Sequence, residues 1–218
     1  MSIQTPQPTG HANESSSCFV ALSRVSRLLR CVVRRQESFM KPIVAVVEWY
    51  GPYALEEARA TALDFDDGIY CALGKAKYQR QSRIQYVGLA HNLRARINGA
   101  HHTLPQITRE QELWLGEVVS PRTPGRKIKT TDRMLDLVEW AHAYFLQLPL
   151  NKRKKAKPPD RPITVYNRWW RTDCETPYRR RPHSEWPDII DFLGYDYPAK
   201  LVWFGGGQLV QDVAEFKC

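Results

Sequence analysis

Long apolar runs are missing from this chain of 218 residues. Stretches such as Ile43 to Val47 stop far short of the ~20 residues that a membrane-spanning helix needs, so such a helix is excluded. Cysteine is scarce, and the count of 5 is odd. Cys18, Cys31, Cys71, Cys174 and Cys218 include no CxxC pair. That argues against a disulfide framework and a cysteine zinc site, and points to reduced thiols in a cytosol-like compartment. No repeat at a solenoid period, helix-turn-helix or zinc finger is legible, so no cognate base sequence can be read.

Charge of both signs is present, but positive charge dominates and is unevenly placed. The net charge is +9. Residues 1–39 carry +3, 40–121 carry 0, 122–181 carry +10 and 182–218 carry −4. A basic segment between a neutral body and an acidic tail points to a polyanion partner, nucleic acid before others. Aromatics are plentiful, with Trp 7, Tyr 10 and Phe 7, and 43% of the residues are hydrophobic, enough for a packed core.

Residues 1–39 read as a leader. Pro6, Pro8, Gly10, Asn13 and the serines at 15–17 predict a disordered tail. Arg24, Arg27, Arg30, Arg34 and Arg35 then alternate with apolar residues. A targeting presequence, an amphipathic helix capping the domain and a true start at Met40 are the three readings, the last two favoured together. A secretory signal is not expected, because arginines interrupt the apolar stretch.

The body begins with a β-rich run over 43–49, broken by Gly51-Pro52, and a helix over 55–63, the two forming a strand-helix extension over 40–65. Strands at 68–73 and 84–88 predict an antiparallel hairpin with a long basic loop. A short helix over 92–98 stops at Gly99, and a third strand spans 113–119. Met134, Leu137, Val138, Ala141, Tyr144, Phe145 and Leu148 follow helical spacing over 132–148. Residues 163–170 look strand-like, 188–193 helical, and 201–210 a final strand or hairpin.

Gly68-Ile69-Tyr70 on one strand, Tyr86-Val87-Gly88 on the next, and Asn92-Leu93-Arg94-Ala95-Arg96 after them resemble the GIY-YIG nuclease family, notably its excision-repair subunit and its homing and restriction endonucleases. Glu139 lies in the best helix, and Asn151 follows it by twelve residues in a basic, Pro-containing context. The resemblance covers 66–157. It implies an α/β (α+β) fold, a small antiparallel three-stranded sheet flanked by helices. A basic, aromatic C-terminal extension over 158–218 lies outside it. Residues 71–85 make a longer separation between the tyrosines than the family's usual one. Ala100 occupies the place where the family tends to have His or Tyr, and His101 fills that role if the helix end shifts by one residue.

The resemblance implies a metal-dependent endonuclease that hydrolyses DNA. Phosphodiester hydrolysis needs an activated water and a stabiliser of charge on phosphorus. Tyr70 and Tyr86 would orient or deprotonate water, Tyr70 doing so if a nearby cation lowers its pKa. They share a sheet face if the register pairs them. Arg96 would hold the phosphate, Glu139 would bind Mg²⁺ or Mn²⁺, and Asn151 would position phosphate or metal water. Lys75, Lys77, Arg80, Arg83, Arg94, Lys152, Arg153, Lys154, Lys155, Lys157, Arg168 and Arg171 are expected on the DNA backbone. Trp169 and Trp170 between Arg168 and Arg171, with Tyr178 before Arg179–Arg181, suggest contact with single-stranded or distorted nucleic acid, or else Trp169 is a core anchor. Each residue alone has a blander role, such as a half-buried strand tyrosine, a solvated Glu139 paired to Arg133 or His142, or a structural His142; their joint order overrides this. The expected partner is DNA, with no membrane, no small-molecule cofactor and an open oligomeric state that includes a dimer. The expected compartment is the cytoplasm, with nucleoid association in a bacterium. The competing reading is a non-catalytic nucleic-acid-binding module on the same fold.

Overall fold

The structure is a computed structural model that describes residues 42–62, 67–97, 101–119, 130–205 and 207–213. The leader 1–39, the Met40 boundary and the Gly99 helix stop lie outside the described residues. Lys41–Cys218 form one compact unit.

Eight strands make one mixed sheet: β1 (Ile43–Tyr53), β2 (Gly68–Ala76), β3 (Arg83–Ala90), β4 (Ile107–Val119), β5 (Ile163–Trp170), β6 (Ile189–Phe192), β7 (Lys200–Trp203) and β8 (Leu209–Asp212). Their spatial order is β3-β2-β4-β1-β5-β6-β7-β8. β1 pairs antiparallel with β4 and parallel with β5; every other pairing is antiparallel. The helices are α1 (Leu55–Thr61), α2 (Leu93–Arg96) and α3 (Asp132–Phe145). No helix among the described residues is long and apolar enough to cross a membrane.

This corrects the expected architecture. The predicted hairpin forms, as β2 and β3, and β4 joins β2 on its other side. The sheet does not stop at three strands, however. Far from being an extension, β1 is central, with main-chain partners on both sides. It also continues through Gly51-Pro52, where its register against β4 shifts between Tyr50 and Tyr53. The run at 188–193 forms β6 where a helix was expected: Ile190 and Phe192 alternate into the core while the backbone pairs with β5. A short apolar run has no period of its own that distinguishes these two outcomes.

The sheet curls into a half-barrel. Arg83 and Ser82, at the β3 edge, bond Glu185 and His183, which precede β6 five strands away: Arg83 Nε donates to Glu185 Oε1 at 3.1 Å, and His183 Nε2 lies 3.0 Å from Ser82 O. α3 packs inside the curl against β1, β2, β3, β5 and β6. Thr131 caps it, its Oγ1 accepting from Met134 N at 3.2 Å. Its Leu135, Leu137, Val138 and Ala141 meet Trp49, Cys71, Val87 and Trp114. Strand alternation sends the intervening side chains to the opposite face. There Tyr50, Tyr70, Tyr86, Leu113 and Leu115 form a second core with Ala58 and Ala62 of the α1 segment and Leu93 of α2.

Candidate active site

Four of the six residues expected to carry catalysis meet on this second face. β2 supplies Tyr70, β3 supplies Tyr86, α2 supplies Arg96, and the segment before β4 supplies His101. Asn92 starts α2, its Oδ1 accepting from Ala95 N at 2.8 Å, and this cap sets the turn that carries Arg96. The register opposes Tyr70 to Gly88 and Tyr86 to Ala72, so the tyrosines are diagonal neighbours on one face, not a direct pair. Their ring centroids are 5.7 Å apart. His101 stands edge-on to both rings, at 5.7 Å from Tyr70 and 5.5 Å from Tyr86.

The hydrogen bonds fix the protonation pattern. His101 Nδ1 accepts from the backbone N–H of Thr103 and of Leu104, both at 3.1 Å. A neutral imidazole that accepts at Nδ1 carries its proton on Nε2. His101 Nε2 therefore donates to Tyr70 Oη, 2.6 Å away. Arg96 Nε donates to the same oxygen at 3.3 Å. Burial, assisted by the neighbouring Arg96 and His102, lowers the His101 pKa to about 4, so the ring is neutral at pH 7.

Tyr70 does not have the lowered pKa expected of it. Burial raises the pKa far above the ordinary phenol range, Tyr86 adds to the rise, and Arg96 opposes it. A fully buried phenol loses more hydration on ionising than one guanidinium returns. Tyr70 is thus a neutral phenol whose oxygen is the meeting point of two donors. Its side chain is wholly buried, Tyr86 is 7% exposed, and Arg96 opens to solvent.

The other two expected residues sit elsewhere. Glu139 and its helix pack on the opposite face of the sheet from Tyr70. Lys154 Nζ lies 2.5 Å from Glu139 Oε2 and 2.6 Å from Asp136 Oδ1. The ammonium stands where a cation between these carboxylates would stand, so Glu139 does not fit a metal ligand. Arg133 pairs instead with Asp136 and Asp160, and His142 is buried against Val138 O and Asn167 Oδ1. Asn151 clamps the edge strand next to Tyr86: its Oδ1 accepts from Val87 N at 3.0 Å and its Nδ2 donates to Val87 O at 2.8 Å. Its amide is engaged on both sides in ordering this backbone.

The expected backbone contacts divide. Lys75 pairs with Glu110, Arg83 with Glu185, Lys154 with Asp136 and Glu139, and Arg168 with Glu48. Lys77 lies over Tyr78, and Arg171 over Tyr178. Arg80, Arg94, Lys152, Arg153 and Lys157 are exposed, and Lys155 is half-buried. Trp169 is 6% exposed and packs on Trp186, which makes it a core anchor.

Two residues noted in the sequence without a structural role, His102 as the alternative to His101 and Gly88 in the Tyr-Val-Gly run, are partners of the cluster. His102 stacks on His101 at 5.0 Å; adjacency in sequence was the only signal. Gly88 leaves the space that the Tyr70 phenol fills; its place in the Tyr-Val-Gly run was the signal. Among the described residues, one group of three metal-ligating side chains converges: Asp67, His91 and Asp132, with ligand atoms within 4.8 Å of one another and all exposed. It lies where β2 begins, β3 ends and α3 begins. No family model, curated protein or solved structure matches the chain.

Proposed function

We propose that this chain is a DNA endonuclease of GIY-YIG type that hydrolyses phosphodiester bonds at the Tyr70–Tyr86–Arg96–His101 cluster. One observation carries the reading: Tyr70 Oη accepts from both Arg96 and His101, residues that the motif resemblance had already singled out. Arg96 is the exposed member, and its remaining guanidinium N–H groups face a phosphate and offset charge on its oxygens. Tyr70 and His101 hold Arg96 in place and are positioning residues. Tyr86, the less buried phenol, orients the attacking water, whose oxygen bonds to phosphorus as the P–O bond to the leaving sugar oxygen breaks; the water's proton passes to solvent and the leaving oxygen takes one from solvent. The family resemblance implies Mg²⁺ or Mn²⁺, but Glu139, paired with Lys154, does not fit that role.

The test is incubation of the protein with supercoiled plasmid in Mg²⁺ or Mn²⁺, with an EDTA control. Nicking that Arg96→Ala removes, with DNA binding retained, supports the reading. No nicking under any of these conditions overturns it. The Lys154 ammonium seated on Glu139 favours a second reading, a nucleic-acid-binding module that does not cut; DNA binding without nicking would select it.

A further inference from the structure

We infer that a second site, an arginine-lined cleft at the far end of β5, binds nucleic acid through its phosphates and not through its bases. The cleft, about 160 Å³ in volume, lies between β5 and the segment 177–181 that folds back on it. That segment is held by Tyr178 N donating to Trp169 O at 2.8 Å and by a bridge between Trp170 and Pro177. Arg168, Trp170, Tyr178, Arg179, Arg180 and Arg181 line it.

Two of the rings here are covered by guanidinium groups and are not open platforms for bases. The Arg168 guanidinium lies over the Trp170 ring at 5.1 Å, and Arg171 lies over Tyr178 at 5.7 Å. Tyr178 also packs on Trp114 at 5.6 Å and donates to Gly51 O at 3.4 Å. The aromatics therefore hold guanidinium groups in fixed positions, a cation–π arrangement. The nearby acids are already engaged. Glu48 pairs with Arg168, and Asp188 Oδ2 accepts from Arg181 and from Phe204 N. Arg179 and Arg180 are exposed and have no ion pair or hydrogen bond among the described residues. Two uncompensated guanidinium groups, flanked by two that are already oriented, suit anionic phosphate oxygens. Tyr166 is the partly exposed ring of the lining; with Trp170 and Tyr178 covered by guanidinium groups, contacts to phosphate dominate, and these carry affinity and not sequence.

This inference rests on the nucleic-acid partner proposed above and is independent of cleavage. The experiment measures binding of the full chain to a labelled duplex, a single strand and an abasic strand of equal phosphate count, in EDTA, across a salt series. The variant is Arg179→Gln/Arg180→Gln, two exposed positions; an unchanged thermal midpoint checks its fold. The expected result is a loss of about tenfold or more in affinity at 0.1 M salt and a fall in the log–log salt slope of about 1.8 on the duplex and about 1.4 on the single strands, equal on the normal and abasic strands. An unchanged salt slope overturns the proposal, as does a loss on the normal strand that the abasic strand does not share. Nucleic-acid binding that is unchanged while binding to anionic phospholipid vesicles is lost also overturns it, in favour of a membrane surface. Full cleavage failure with the salt effect intact sinks the nuclease reading and leaves this site standing. Absence of any nucleic-acid binding by the parent chain sinks both.

Discussion

Gly88 and Tyr70 face each other across the β2–β3 ladder, and the phenol occupies the space a side chain at 88 would take. A Cβ at Gly88 would lie 2.6 Å from Tyr70 Oη and 2.7 Å from Tyr70 Cζ. Neither can give way cheaply, because Oη is held by His101 and Arg96. Gly88→Ala should therefore cost about 1–3 kcal/mol through overpacking. It should also lower plasmid nicking at least as far as Tyr70→Phe does, since both disturb the group that anchors Arg96. Nicking by Gly88→Ala at the parent rate would show that this anchor is irrelevant to activity.

His101 should make stability depend on pH. Its pKa is about 4 in the folded protein against an ordinary 6.5, so the unfolded chain binds the proton first. Stability is then intact above pH ~6.5, falls as the pH drops from there to about 4, and levels off below that. Burial also lowers the pKa of His142, which adds to the fall in the same direction. Urea midpoints measured from pH 7.5 to 4 should drop less steeply for His101→Gln than for the parent. Parallel profiles would remove His101 as the source.

Asn151 replaces a neighbouring strand at the edge of β3. Removing its amide leaves Val87 N–H and C=O without their partners, at a cost of about 1–3 kcal/mol. Asn151→Ala should speed amide hydrogen exchange at Val87 with little change inside β4. Asn151→Asp keeps the acceptor and loses the donor, so the Val87 amide should stay better protected than in the alanine variant. Equal protection in all three would show that the edge is held by something else.

Lys154 should stabilise α3 by separating two carboxylates. Without its ammonium, Asp136 and Glu139 are like charges three residues apart on one helix. Both ends are partly shielded, so a double-mutant cycle of Lys154→Met and Glu139→Gln should give a coupling of about 1 kcal/mol. In the same samples, the Mg²⁺ concentration for half-maximal nicking should be unchanged by Glu139→Gln. A large shift in that concentration would restore Glu139 as a metal ligand.

Much of the chain could be read from local pattern. The helical period over Met134–Leu148 and the short helix expected over 92–98 are short-range signals, and α3 and α2 form where they point. The order of Tyr70, Tyr86 and Arg96 was enough to select three residues that do meet. Their protonation was not legible. A tyrosine's pKa depends on how completely water is removed around it, and that is set by α1, α2 and the Leu113–Leu115 stretch of β4 packing over the same face.

The sequence by itself determined most of the elements, though not the strand at Ile189–Phe192, together with the charge imbalance and the identity of the clustered side chains, because propensity, capping and composition act within a few residues. Only the tertiary structure decided that β1 lies between β4 and β5, that Glu139 is neutralised by Lys154, and that Trp169 is core. These are pairings between residues 15 to more than 100 positions apart. Main-chain hydrogen bonds accept any partner strand, and an acid accepts any nearby cation, so nothing in the local pattern distinguishes one such pairing from another. Burial of both sheet faces, one under α3 and the other under α1 and α2, makes that choice.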